Sequence, residues 1–172
     1  MMHFLTWLEQ TGFSTWVRES PSMFAYPLIL FLHTAGLAFL VGPSVVVGTR
    51  ILGFPKSLPL EPLEKFYPVM WIGFWVNAVS GAVLLVADAT TKFTNWDFYV
   101  KLGFIIVAVI ALQMLRGRVF HRAAANNALL VTTISRALAT IVLVCWIGAI
   151  FAGRLMAYLG PVSGAPLLNN KF

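Results

Sequence analysis

Leu28 to Val47 reads LILFLHTAGLAFLVGPSVVV, twenty residues without an Asp, Glu, Lys or Arg. At 1.5 Å per residue a helix of that length covers about 30 Å, the thickness of a bilayer's hydrocarbon core. Pro27 precedes the run, and proline suits a first helical turn. Three further runs of this kind follow, at about Val69 to Ala87, Phe98 to Leu115 and Ala137 to Leu159. The connections are short, so consecutive helices are expected to be antiparallel neighbours. The expected fold is all-α: an integral membrane four-helix up-down bundle.

Composition agrees with the run. Of the 172 residues, 59% are hydrophobic and only 10% charged, against about 25% charged in an ordinary soluble domain. So apolar a chain cannot cover itself with polar surface, which excludes a soluble enzyme and a disordered tail. The net charge of +6 invites a nucleic-acid reading. The twelve Lys and Arg are scattered between apolar runs, however, as in the loops of a membrane protein. One cysteine allows no internal disulfide, and no CxxC or Cys/His cluster suggests zinc. The length fits a single membrane domain over residues 1–172, with spans at about 28–47, 69–87, 98–115 and 137–159.

Residues 1–18 mix Phe4, Leu5, Trp7, Leu8, Phe13, Trp16 and Val17 with polar side chains. They lack the basic start and unbroken apolar stretch of a signal peptide. The pattern predicts an N-terminal interfacial amphipathic helix with tryptophans at headgroup depth. The first loop, Gly48 to Tyr67, holds Pro55, Pro59 and Pro62 and is expected to be irregular or extended. A helical lead-in to the fourth span is expected over Phe120 to Ile134, and a loop after Gly160. Basic residues set the orientation. Arg50, Lys56, Lys65, Arg116, Arg118, Arg122 and Arg136 fall on one side, and Arg18, Lys92, Lys101, Arg154 and Lys171 on the other. The positive-inside rule makes the first set cytoplasmic and both termini periplasmic.

Ionisable groups inside a bilayer are costly, and each is a candidate functional residue. His33 lies in the second turn of the first span, with Gly36 and Leu40 on its face. Asn77, Gly81, Leu84 and Asp88 form a stripe on the second, Lys101 opens the third, and Arg154 is near the end of the fourth. Odd spans begin on the side where even spans end, so His33, Asp88, Lys101 and Arg154 share one leaflet. Each has a plainer use. His33 can hydrogen-bond a neighbouring helix, and Lys101 and Arg154 can snorkel to the headgroups. Asp88 can cap a loop or pair with Lys101, and Asn77 and Ser80 can join helices. Cys145, Ala149, Gly153 and Ala157 form a small-residue stripe that suits close packing. Gly42 and Pro43 are expected to kink the first span.

Taken together, the polar set suits a ligand that wants both imidazole and cations. In haem, His33 would ligate the iron while Lys101 and Arg154 met the propionates. Asp88 would tune their charge, and Gly36 would let the macrocycle approach the backbone. A second axial ligand would have to come from His3, a Met or nothing, since His121 belongs to the opposite leaflet. A quinone could use His33 and Lys101 within an aromatic pocket of Trp71, Phe74, Trp75 and Trp96. Copper has only Met1, Met2, His3 and Met23 near the outer surface. Two further readings are a non-catalytic accessory or assembly subunit and a copper or small-solute carrier. Candidate partners are the lipid bilayer, a quinone or membrane redox partner, and a second copy of the chain.

The order of three motifs adds a resemblance: His33-Thr-Ala-Gly36 with Gly42 and Arg50-Ile-Leu-Gly53, then Val79-Ser-Gly81 with Leu84-Leu85, then Asn95-Trp-Asp-Phe-Tyr-Val-Lys101-Leu102. From Trp16 to about Gly153 the chain resembles a family of small four-span bacterial inner-membrane proteins. More remotely it is similar to the four-helix membrane proteins that include the HemJ-type protoporphyrinogen oxidases and CopD-type copper proteins. That resemblance implies haem b as cofactor and His33 and Lys101 as the residues carrying activity. Arg154 and the spacing after His33 depart from the HemJ pattern, and related bundles host different chemistry.

Overall fold

Each apolar run is a helix in the computed structural model, which describes residues 2–121 and 131–159. Two eight-residue helices, α1 (Met2–Glu9) and α2 (Gly12–Glu19), come first. The long helices are α3 (Tyr26–Leu52), α4 (Phe66–Ala87), α6 (Trp96–Arg116) and α7 (Thr133–Leu159), with the short α5 (Ala89–Thr94) between α4 and α6. Of the described residues 86% are helical and none is in a strand, and four of the described helices are long and apolar enough to cross a membrane. Large apolar side chains such as Phe31, Ile72, Val79, Ile110, Val144 and Phe151 point outward. Such a surface is stable against lipid and not against water.

Helix ends explain where these boundaries depart from the apolar runs. α3 continues past Gly48 to Leu52 and stops at Gly53, whose φ of 107° is the left-handed conformation of a glycine C-cap. The expected long irregular loop therefore shrinks. Its last part is a 3₁₀ turn, Glu61–Lys65, with Pro62 in its first positions. Arg50 ties down what remains by donating from Nε to the Leu58 carbonyl. Pro43 lies inside α3 without ending it. The single N-terminal helix expected over 1–18 is divided at Gln10 and Thr11, because the Thr11 hydroxyl accepts the Ser14 amide and starts a second helix. At the other junction Asn95 caps α6, its side chain accepting from the Asp97 amide at 3.0 Å. The expected helical lead-in is a π turn, Gly117–His121, at its beginning and non-helical at Val131 and Thr132. Its Ala123–Leu130 part lies outside the described residues, as do Arg122, Lys171 and the loop after Gly160.

Packing follows the small residues. α3 lies against α4 and α7, and α7 lies against α6, whereas backbone contact between α4 and α6 is slight. Along the α3–α4 seam Gly36 faces Asn77 and Gly73 faces Leu40, so numbers rise on one helix as they fall on the other. The same register links Lys101 with Gly153 and Phe104 with Gly148 across α6 and α7. Leu40, Val47, Ile51, Met70, Leu112, Leu115, Val142 and Trp146 form the buried core, toward the end rich in Lys and Arg. At the opposite end α1 and α2 close over the α4–α5 junction. Glu9 accepts from the amide and hydroxyl of Thr90 at 2.6 and 2.8 Å, and Arg18 donates to the Ala87 carbonyl at 3.4 Å.

Candidate functional site

His33 sits on the face of α3 that meets α4. Its Nδ1 lies 3.0 Å from the Asn77 carbonyl oxygen and 3.3 Å from the Ser80 hydroxyl. A carbonyl can only accept, so Nδ1 carries a proton, and in the neutral ring the lone pair is then on Nε2. Asn77 returns the contact, donating from its side-chain amide to the His33 carbonyl at 2.7 Å. Ser80 donates to the Val76 carbonyl at 2.5 Å, which leaves its oxygen free to accept from the ring. Glycine makes room for this cluster. A Cβ on Gly81 would stand 2.9 Å from His33 Cε1, and one on Gly36 would stand 2.7 Å from the Asn77 backbone nitrogen. Gly36 is thus closed by α4, which corrects the expectation that a macrocycle approaches the backbone there. No partner for His33 Nε2 occurs among the described residues.

Lys101 is half-buried on α6, its Cε and Nζ passing 3.6 and 3.7 Å from where a Cβ on Gly153 would be. It makes no hydrogen bond or ion pair among the described residues. Asn77 is therefore brought to His33, and Lys101 to the same end of the helices. The other candidates stand apart. Asp88 pairs with Lys92 at 3.5 Å, one helical turn away, instead of with Lys101. Arg154 is exposed and Trp96 is 68% exposed, both turned away from the helix seams. Trp75 also faces outward, so the four aromatics do not form one pocket. Next to Trp96, Asp97 is only 2% exposed. It sits four residues before Lys101, a spacing that puts the two on one face, and that spacing was the signal for it in the sequence.

Two further groups take plain structural places. Cys145 and Ala149 are buried in the core, and Gly148 admits the Phe104 ring. The small-residue stripe thus serves contact between α6 and α7, as far as its members are described; the side chain of Ala157 is not among them. Met2, His3 and Met23 are all exposed, and no group of three or more His, Cys, Asp or Glu gathers among the described residues.

Comparison with known proteins found no matching family model, curated protein or solved structure. What the site can do therefore rests on its own chemistry. A neutral imidazole whose Nδ1 is held by a backbone carbonyl is the usual form of a metal-ligating histidine, because that hydrogen bond fixes the ring and raises the basicity of Nε2. An unpaired lysine at the same end supplies a cation for a carboxylate. His33 and Lys101 are the residues that would hold a haem, the first at its iron and the second at a propionate. A second imidazole is not at hand, since His3 is exposed on α1 and His121 lies at the far end of α6.

Proposed function

We propose that this chain is a bacterial inner-membrane protein that binds haem b through His33 and passes electrons to a quinone or a membrane redox partner. In this reading α3, α4, α6 and α7 cross the membrane as an up-down bundle, with both termini periplasmic. α1 and α2 are the amphipathic element, lying in the interface. The observation that carries the proposal is His33 itself, with Nδ1 engaged by the Asn77 carbonyl at 3.0 Å and Nε2 left as the donor atom. Bound there, haem would supply one-electron chemistry.

The chain's own residues do the remaining work. Asn77 and Ser80 hold the imidazole in one tautomer and one orientation, so little rearrangement is needed when Nε2 meets a metal. Lys101 would meet a propionate as a point charge in a setting of low dielectric, where such a pair gains more than it would in water. The described members of the small-residue stripe of α7 pack inside the chain, so that stripe is not the face an accessory subunit would offer to a partner.

The test is an absorption spectrum of the detergent-purified full chain, oxidised and reduced with dithionite. A Soret band with reduced α and β bands is expected, lost in His33→Ala and kept in His3→Ala. A colourless protein from cells supplied with haem overturns the proposal.

A further inference from the structure

Within the spans, Gly36, Gly73, Gly81 and Gly148 each lie where a Cβ would come within 3.0 Å of a neighbouring helix, so internal packing accounts for them. Gly103 of α6 is different: a Cβ there would meet nothing within 4 Å. Gly42 is as open, but it precedes Pro43, where a small residue eases the clash that proline makes with its predecessor. Glycine disfavours a helix interior, so Gly103 has a cost and no internal use. Gln113 is as ill-placed. It is exposed and lies five residues past the middle of Trp96–Phe120. That puts it about 8 Å from the midplane, inside a hydrocarbon half-thickness of about 15 Å. Exposed Thr34, Thr49 and Thr140 each donate to the carbonyl one turn back, whereas the Gln113 amide makes no hydrogen bond among the described residues. The two residues share a seam. Tyr99, Gly103, Ile106, Ile110 and Gln113 recur at intervals of four and three residues, the repeat that keeps one stripe of a helix toward a neighbouring helix. All five are exposed, while Asp97, Ala108, Ala111 and Leu115 on the other side of α6 are buried.

We propose that this seam is where two copies of the chain meet in the membrane, α6 against α6, with the two Gln113 side chains hydrogen-bonded to each other. Copies inserted in one orientation are related by a two-fold axis normal to the membrane, so each residue of α6 meets its counterpart at the same depth. That symmetry is what selects a second copy as the partner. A primary amide carries both a donor and an acceptor, so Gln113 and the partner's Gln113 complement each other, as two cations or two carboxylates could not. Facing lipid alone, the same amide is left unmet in hydrocarbon. Gly103 lets the two backbones approach closely, the use that glycine has between membrane helices. Tyr99, Ile106 and Ile110 fill the seam around it. The contact rests on α6 crossing the membrane and not on what binds at His33.

The full chain in native membranes, with Cys145→Ala as background, is given one thiol at a time and oxidised with copper phenanthroline. Ile106→Cys and Ile110→Cys are expected to form disulfide-linked dimers. Ile72→Cys on α4 and Ile147→Cys on α7, at positions no less exposed, are expected to stay monomeric. Adding Gln113→Leu to Ile110→Cys is expected to cut the dimer yield about fivefold, the worth of one hydrogen bond between membrane helices. Gly103→Leu is expected to cut it as well. Thermal unfolding of the monomer in detergent should not change with Gly103→Leu, because its side chain meets nothing inside the chain. Equal cross-linking at all four positions, no dimer at Ile106 or Ile110, or adducts there to a protein of another mass each overturns the proposal. So does an undiminished yield in either Gln113→Leu or Gly103→Leu.

Discussion

At the scale of single residues, the decisive feature is the reciprocal exchange between His33 and Asn77, ring to backbone in one direction and amide to backbone in the other. Within a bilayer, hydrogen bonds between helices contribute about 0.6–2 kcal/mol each. Asn77→Ala removes the amide's donation and leaves its own carbonyl in place for His33. The expected result is a loss of about 1 kcal/mol in reversible unfolding from mixed micelles. Stability equal to wild type would show that the side chain contributes nothing to the seam. The haem spectrum, if His33 ligates as proposed, should survive this change with a broadened band, since ring orientation is then held by Ser80 and the carbonyl alone. Asn77 was visible in the sequence as a polar residue on a helical stripe. Asp97 falls at the same helical spacing from Lys101, yet nothing in the sequence marks it as buried. Its burial is a tertiary feature, which spacing along one helix does not disclose.

At the scale of elements, α3 and α4 are joined by glycine. A Cβ on Gly36 would come within 2.9 Å of the Gly73 carbonyl oxygen, and one on Gly73 within 2.8 Å of the Gly36 oxygen and the Leu40 nitrogen. Those neighbours are backbone and cannot rotate aside. Gly36→Ala and Gly73→Ala are therefore each expected to cost about 1–3 kcal/mol, the usual range for overpacking. Gly103→Ala, where an added Cβ meets nothing within 4 Å, should be neutral or stabilising by up to about 1 kcal/mol because alanine favours helix. Thermal unfolding of the three variants in one detergent tests this, and equal behaviour would deny the seam its role. The four apolar runs were plain in the sequence because lipid selects for continuous hydrophobicity. Their ends were less plain. Gly48 and Gly53 both look like stops, and only the second takes a positive φ. Gly48 instead meets the Leu143 side chain of α7, a use that periodicity along one helix does not disclose.

At the scale of the whole molecule, the two ends differ in charge. The end holding the Glu61–Lys65 turn has six described basic residues and two acids: Arg50, Lys56, Lys65, Arg116, Arg118 and Arg136 against Glu61 and Glu64. The end holding α1, α2 and α5 balances Arg18, Lys92, Lys101 and Arg154 against Glu9, Glu19, Asp88 and Asp97. Insertion responds to Lys and Arg near the ends of membrane helices, and acids count for little in it. In the proposed orientation the Tyr67–Arg116 end faces the cytoplasm and His33 the periplasmic side. With Cys145→Ala as background, Ser57→Cys and Thr94→Cys each place one thiol at an exposed position on opposite sides. A membrane-impermeant maleimide applied to intact spheroplasts is expected to label the variant at Thr94 and to reach the one at Ser57 only after lysis. The reverse pattern would put His33 and its proposed haem in the cytoplasmic leaflet, where the electron partner would have to be sought on that side. Labelling of both variants before lysis would mean insertion in two orientations. The modest excess of basic residues would then be too small to choose between them.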